Sequence, residues 1–215
     1  MEKVTTFIFD VDGVLVDSEH ANFVSLNKAL EKHFNLTIDF ADDQALGPIP
    51  TFKKLEIIAE RFGITVSEET RAEFLKDKFE FLQSEISAGA IKFNTEAKLI
   101  FQFIKSVGCK TGIVSNARSE YLDQVKKTLG IEGLVDICIS NSFKLQTKPN
   151  PAMYLRAMSE LGVSPKTTVV FEDSAVGIRA ALDSCANVVP ITVFSNLTLD
   201  LVKSIYENPD QSRFI

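Results

Sequence analysis

Phe7-Ile8-Phe9-Asp10-Val11-Asp12-Gly13-Val14-Leu15-Val16-Asp17-Ser18 is the stretch that decides how this chain folds. The apolar run Val4–Phe9, with its two threonines, predicts a buried strand that places Asp10 at the strand's carboxyl end. Gly13 then allows a sharp turn. Asp10 and Asp12 repel each other, and they stay ionised together only where a cation or strong hydrogen bonds compensate. The stretch therefore favours a metal-assisted reaction at this strand end.

Composition limits the possible partners and compartments. The chain has 215 residues, 45% of them hydrophobic, and a formal charge of -6. The hydrophobic content predicts a packed core. Because the sequence has no stripe of basic residues, we expect no nucleic-acid partner. No apolar run approaches the ~20 residues of a membrane span, so we expect no membrane partner. The N-terminus enters a strand at once, which predicts no signal peptide. Three cysteines without paired or metal-binding spacing fit a reducing cytoplasm.

A long helical pattern follows the first strand. Residues 18–88 contain no strand pattern, and they predict an all-helical insert, bounded as a domain at 17–88. The rest, 1–16 and 89–215, is predicted to form the core domain. Three sets of apolar residues recur at helical spacing: Phe23, Leu26, Leu30 and Phe34; Phe52, Leu55, Ile58 and Phe62; and Leu75, Phe79, Leu82 and Ile86.

The remainder of the chain alternates between helices and strands. We expect strands at 109–115, 135–140, 167–172 and 187–194. Helices are expected near 94–107, 118–129, 150–161 and 174–184. Such alternation predicts an α/β fold with a Rossmann-like, open parallel sheet that carries helices on both faces.

Polar residues stand at or just after the carboxyl ends of these strands, the edge where such sheets bind ligands. We therefore expect the residues at this edge to form one site, although they are far apart in sequence. They are Asp10 and Asp12 after the first strand, Ser115 and Asn116 after the second, Lys148 after the third, and Glu172 and Asp173 at the end of the fourth.

The charge balance of this edge predicts a divalent cation. Four carboxylates face one lysine, and the excess negative charge is hard to hold in a cleft without a metal ion. Oxygen ligands completed by water and phosphate suit Mg²⁺. No histidine or cysteine belongs to the set, which disfavours zinc.

The other residues of the set suit a phosphate group. Ser115 offers a hydroxyl, and its loop offers backbone N–H groups just before a helix. Lys148 supplies positive charge for phosphate oxygens. Beside Mg²⁺, Asp10 can attack phosphorus and form an aspartyl-phosphate, and Asp12 can act as general acid and then general base.

These residues resemble the motifs of the haloacid dehalogenase superfamily, in its β-phosphoglucomutase and phosphoglycolate-phosphatase-like subgroup. Asp10-x-Asp12-Gly-Val-Leu-x-Asp17-Ser18 is similar to the first motif and Ser115-Asn116 to the second. Lys148-Pro149 is similar to the third, and Glu172-Asp173-Ser174-x-x-Gly177-Ile178 to the fourth. All four motifs occur in order, and residues 17–88 look like the family's helical cap domain.

The resemblance implies a set of roles. Asp10 would be the nucleophile and Asp12 the general acid/base, while Ser115 and Lys148 would hold the phosphate, with Asn116 beside them. The implied metal ligands are Asp10, the backbone carbonyl of Asp12, and Asp173, with Glu172 close by or bound through water. The expected partner is a small phosphorylated metabolite, and the expected state is a monomer or small homo-oligomer.

Several alternatives remain open at this point. Asp12-Gly13 alone could be turn chemistry, and Ser115-Asn116 or Glu172-Asp173 could cap the following helices. Asp12 favours a phosphate-ester reaction, either hydrolysis or phosphosugar mutation. Mutases of this family carry a histidine on the first cap helix and an arginine in the cap loop. This chain has Asn22 where that histidine is expected and no arginine in residues 46–53, so we favour a phosphatase.

Two other classes of protein fit less well. A receiver-like domain would be shorter and would have no insert after the first strand. An inactive phosphate-binding module disagrees with the intact Asp10 and Asp12.

Overall fold

A computed structural model describes residues 2–209 and 214–215 of the chain. Two compact units are present. The first comprises Met1–Asp17 and Phe93–Ile215, and the second comprises Ser18–Lys92. The strands, in chain order, are β1 (Thr6–Phe9), β2 (Val16–Asp17), β3 (Lys92–Phe93), β4 (Lys110–Val114), β5 (Ile137–Ile139), β6 (Thr168–Glu172) and β7 (Asn187–Pro190).

The first unit is built on a five-stranded parallel sheet with the order β5-β4-β1-β6-β7. The chain adds β4 and β5 on one side of β1, then crosses to add β6 and β7 on the other. Thr6 pairs in register with Lys110 on one side and Thr168 on the other. Ligands bind outside the carboxyl ends of strands at such a reversal of strand order, which places the crevice beside β1.

Helices of the first unit pack on the sheet, as the alternating pattern predicted. In chain order the helices are α1 (Glu19–Phe34), α2 (Phe40–Leu46), α3 (Thr51–Phe62), α4 (Glu68–Ser87), α5 (Ala97–Ser106), α6 (Ser119–Leu129), α7 (Ala152–Leu161), α8 (Ala175–Asp183) and α9 (Leu199–Glu207). The α/β fold with a parallel core sheet and a helical insert is confirmed.

Apolar side chains cover the centre of the sheet on both faces, which explains the unbroken apolar run of β1. The Phe9 ring stacks on Phe171 at 4.9 Å between centroids and contacts Phe101 at the same distance. On the opposite face, Ile8 and Val170 pack in a buried cluster with α7 and α8. Every residue of β1 is buried, as expected for a central parallel strand.

The last strand is shorter than predicted. The sequence suggested 187–194, but β7 ends at Pro190, which pairs with Glu172. Since β6 also ends at Glu172, residues beyond Ile191 have no further strand of this sheet to pair with, and the chain turns into a 3₁₀ segment at Phe194–Asn196.

The second unit is a four-helix domain with its own core of residues from α1, α3 and α4, including Leu30, Leu55 and Phe74. Helix α2 was not predicted. It has seven residues, too few for an apolar period, and Asp39 caps it by accepting a hydrogen bond from the backbone N–H of Asp42 at 2.7 Å. No helix within residues 2–209 has the length and apolar character needed to cross a bilayer.

Candidate active site

Lys148 lies at the centre of a buried charge cluster at the carboxyl edge of the sheet. Its ammonium group is 2.6 Å from Oδ1 of Asp10 and donates to the Val114 carbonyl at 2.9 Å. It also donates to Oε1 of Glu172. The lysine is only 6% exposed, Asp10 7% and Glu172 0%. Residues at the carboxyl ends of β1, β4 and β6 and in the loop after β5 thus meet at one place, as the strand-end positions predicted.

The loop after β1 is a tight turn that fixes Asp10 and Asp12. The Asp10 N–H continues the sheet ladder by donating to the Phe171 carbonyl at 3.0 Å. Beyond it, three successive N–H groups, from residues 14–16, donate to the carbonyl of Val11. Gly13 closes the turn with φ of +79°, a conformation that side-chain-bearing residues avoid.

Three carboxylates crowd together beside Lys148. Oxygens of Asp10, Glu172 and Asp173 lie within 4.8 Å of one another. Burial raises the pKa of Asp10 well above its ordinary value; nearby Glu172 and Asp173 add to the rise, although Lys148 opposes it. Burial and Glu172 likewise raise the pKa of Asp173 to about 7. One lysine therefore does not compensate three carboxylates, and this donor set of hard oxygens fits a divalent cation such as Mg²⁺.

Two glycines leave the space that these carboxylates occupy. A Cβ on Gly13 would lie 1.9 Å from Oδ2 of Asp173, and a Cβ on Gly177 would lie 2.1 Å from the Glu172 carboxylate. Both contacts are far shorter than atoms allow. Asp173 as a residue is exposed, but its carboxylate packs directly on the β1 turn. The glycines of the first and fourth motifs therefore leave the room that Asp173 and Glu172 need.

The contact at Gly13 gives a measurable expectation. Gly13→Ala should destabilise the chain more than Gly162→Ala and should weaken binding of a divalent cation at the carboxylates, with Mg²⁺ as the probe. Gly162 is a matched control because its φ of +64° carries the same backbone penalty, ~1–2 kcal/mol, but nothing lies within 4 Å of its added Cβ. Thermal unfolding with and without Mg²⁺ measures both effects. An equal Mg²⁺-dependent rise in melting temperature for the two variants would contradict the packing of Asp173 on Gly13.

Glu172 is held by more than Lys148. The Tyr154 hydroxyl donates to Oε1, and the Ser174 hydroxyl approaches Oε2 at 3.4 Å. Lys148 also lies 4.9 Å from the Tyr154 ring centroid. Burial, and then the neighbouring Glu172 and Asp10, raise the pKa of Tyr154, so its hydroxyl remains a donor. Sequence reasoning missed Tyr154, because the spacing of α7 marks it only as one buried position among several.

Ser115 and Asn116 organise the loop after β4. Ser115 is 2% exposed, and its Oγ accepts from the N–H of Ala117 at 3.1 Å. The Asn116 Oδ1 accepts from the backbone N–H of Lys148 at 3.1 Å, which joins this loop to the loop after β5. The capping alternative is wrong for both residues, since α6 begins after Arg118 and has no side-chain cap.

The capping alternative is also wrong for Glu172 and Asp173. Ser174 caps α8 by accepting from the N–H of Gly177 at 3.1 Å. The two acidic side chains therefore belong to the carboxylate cluster.

The Asp12 side chain has a different environment from that cluster. Its Oδ1 accepts a hydrogen bond from the Tyr121 hydroxyl at 2.9 Å. Asp12 is half-buried, whereas Tyr121 is 3% exposed. The two aspartates of the first motif thus have separate partners, Lys148 for Asp10 and Tyr121 for Asp12. Separate surroundings suit separate chemical roles, and those roles remain predictions.

Comparisons with known proteins identify the family of this chain. A model of the family described as "Hydrolase: haloacid dehalogenase-like hydrolase" matches residues 4–184. The chain is 29% identical over 175 residues to "Phosphorylated carbohydrates phosphatase" of Thermotoga maritima, which covers 81% of this chain and 78% of that protein. It is 25% identical over 182 residues to "Fructose-1-phosphate phosphatase YqaB" of Escherichia coli, with coverage of 84% and 92%.

A solved structure shows the same fold. The β-phosphoglucomutase from Clostridium difficile superposes with a TM-score of 0.81, covering 96% of this chain and 98% of that one. The two chains are 22% identical. This likeness therefore supports the fold alone, and any inference about the reaction depends on the residues of the candidate site.

Proposed function

This chain belongs to the haloacid dehalogenase-like hydrolase family, and we propose that it is a Mg²⁺-dependent phosphatase acting on a small phosphorylated metabolite of the sugar-phosphate type. The observation that carries the proposal is the meeting of Asp10, Lys148, Glu172 and Asp173 at the carboxyl edge of one parallel sheet. A fixed lysine beside a crowded set of carboxylates suits a site that takes up a metal ion and a phosphate together.

The metal ligands we propose are Asp10, Asp173 and the backbone carbonyl of Asp12, with Glu172 close by or linked through water. When bound, Mg²⁺ would supply positive charge that compensates these carboxylates and neutralises phosphate oxygens. Ser115 and Lys148 bind the remaining phosphate oxygens, and Asn116 holds their two loops together. We also propose that the helical insert is the cap domain of this family.

In the first half of the reaction, a carboxylate oxygen of Asp10 attacks phosphorus and forms a P–O bond. The bond from phosphorus to the substrate oxygen breaks at the same time. Asp12, protonated, gives its proton to that departing oxygen, so the product leaves as an alcohol rather than an alkoxide. Lys148 stabilises the charge on the transferring phosphoryl group.

In the second half, a water molecule attacks the phosphorus of the aspartyl-phosphate. Asp12, now a carboxylate, takes a proton from that water. The bond between phosphorus and Asp10 breaks, which releases inorganic phosphate and restores both aspartates to their starting state.

The substrate class rests on the relatives. Both named relatives are phosphatases, one of phosphorylated carbohydrates and one of fructose 1-phosphate. Asp12 supports the same class, since a sugar alkoxide is a poor leaving group and needs a proton to depart. We therefore propose a sugar phosphate or a similar alkyl phosphate.

A panel of phosphorylated metabolites tests the proposal. Purified chain with millimolar Mg²⁺ should release phosphate from at least one sugar phosphate, measured as inorganic phosphate over time. The panel includes fructose 1-phosphate, glucose 6-phosphate and β-glucose 1-phosphate. Conversion of β-glucose 1-phosphate to glucose 6-phosphate without phosphate release would contradict the phosphatase proposal and indicate a mutase.

The metal requirement is tested in the same assay. Excess EDTA should abolish phosphate release, and excess Mg²⁺ should restore it. Because the site is made of oxygen donors, Ca²⁺ should bind without supporting the same rate, since Ca²⁺ prefers more ligands at longer distances. Unchanged turnover in EDTA would contradict the Mg²⁺ requirement but not the proposed hydrolysis.

A further inference from the structure

The Tyr121 hydroxyl has a placement that no motif accounts for. Tyr121 is the third residue of α6, 109 positions from Asp12 in sequence, yet its OH donates to Oδ1 of Asp12 at 2.9 Å. The ring is 3% exposed and lies on the same buried face of α6 as Leu122 and Val125. The helix thus delivers a rigidly packed donor to one oxygen of the carboxylate.

We propose that Tyr121 is a positioning residue for Asp12, whose hydroxyl fixes the orientation of that carboxylate for proton transfer. The inference rests on the proposed function, in which Asp12 protonates the departing oxygen. A carboxylate side chain has two soft torsions, and Asp12 stands in a turn at the open edge of the sheet. A hydrogen bond from a packed helix removes part of that freedom, and correct orientation is a large component of general acid catalysis.

A packing role alone explains the ring but not the choice of partner. A buried tyrosine hydroxyl needs an acceptor, and any backbone carbonyl would satisfy it. In the first unit, however, both buried tyrosines direct their hydroxyls to carboxylates of the candidate site, Tyr121 to Asp12 and Tyr154 to Glu172. Each supplies a neutral donor, which orients a carboxylate without adding a charge to the cluster.

Two substrates separate positioning from structure. An alkyl phosphate needs a proton on its leaving oxygen, whereas p-nitrophenyl phosphate releases a stable phenolate without one. The ratio kcat/KM reports the steps up to departure of the leaving group. Tyr121→Phe should therefore lower kcat/KM about tenfold for the sugar phosphate turned over fastest, a fraction of the ~10²–10⁴-fold that general acid catalysis supplies. For p-nitrophenyl phosphate the loss should stay below about twofold, since that substrate draws little on the acid.

The comparison is independent of how much of the variant is folded. Both substrates are measured on one preparation, so the active fraction cancels in their ratio. Tyr206→Phe is the matched control, because Tyr206 is a half-buried tyrosine of α9 packed on Phe103, away from the site. It should leave both rates unchanged. In an Asp12→Asn background, Tyr121→Phe should add less than about twofold, as expected for two residues that act through one another.

Each outcome decides the inference. Selective loss on the sugar phosphate, with non-additivity in the Asp12→Asn background, supports it. Equal loss on both substrates, or no loss on either, overturns it and leaves the phosphatase intact. If the parental chain hydrolyses neither substrate, the proposed function fails and this inference fails with it. Because that assay uses only the parental chain, it distinguishes failure of the function from failure of the inference.

Discussion

Asp10→Asn should reduce phosphate release by about four orders of magnitude or more, because Asp10 is the proposed nucleophile and loss of a nucleophile has this effect in other covalent catalysts. The amide has the shape of the carboxylate but is a poor nucleophile. Lys148 keeps its bonds to Val114 and Glu172 in the variant, so the charge cluster stays paired. Removing one of three crowded carboxylates also relieves repulsion. We therefore expect a melting temperature close to that of the parental chain.

Two measurements make this prediction specific. Parental chain quenched during turnover should carry a hydroxylamine-sensitive phosphoryl group on the peptide containing Asp10, and Asp10→Asn should carry none. Asp136→Asn is the matched control. Asp136 also pairs with a lysine, Lys105, at 2.5 Å, but it precedes β5 at the amino edge of the sheet. It should keep near-parental turnover. Parental turnover by Asp10→Asn itself would mean that another group attacks phosphorus.

The edge of the sheet that carries the site was predictable from sequence. Parallel strands end on one side, so Asp10, Lys148 and Asp173 could be placed together without any knowledge of strand order. The order β5-β4-β1-β6-β7 itself was not predictable, because the alternation of helices and strands specifies parallel pairing but not which strands are neighbours.

The hydroxyl partners of the carboxylates were not predictable either. The helical period shows that Tyr121 and Tyr154 face the core, but their hydroxyls meet Asp12 and Glu172 only because of how α6 and α7 are rotated and seated on the sheet. That seating is set by packing across long sequence separations. Helix α2 was missed for a local reason, since its seven residues depend on the Asp39 cap more than on an apolar stripe.

Lys148→Met should lower both stability and activity. The substitution keeps much of the apolar stem but removes the cation that lies between Asp10 and Glu172, both of them buried. Removing one partner of a buried ion pair costs ~3–5 kcal/mol, because the remaining charge is left without compensation. For a chain of this size the loss corresponds to roughly 10 °C in melting temperature. Phosphate release should fall by ~10²–10³-fold, as loss of a stabilising charge in an active site does.

Control and rescue variants separate the buried charge from the mere loss of a lysine. Lys105→Met removes the partner of Asp136. Because that ion pair is about one-third exposed, its loss should lower the free energy of unfolding by less than ~1 kcal/mol. Adding Glu172→Gln to Lys148→Met removes one uncompensated charge and leaves an acceptor for the Tyr154 hydroxyl. The double variant should regain part of the lost melting temperature and none of the activity, because the ammonium group of Lys148 is still missing from the proposed phosphate site. If Lys148→Met melts like Lys105→Met, the lysine does not balance the buried carboxylates, and the acidic cluster must be neutralised by protons or metal alone.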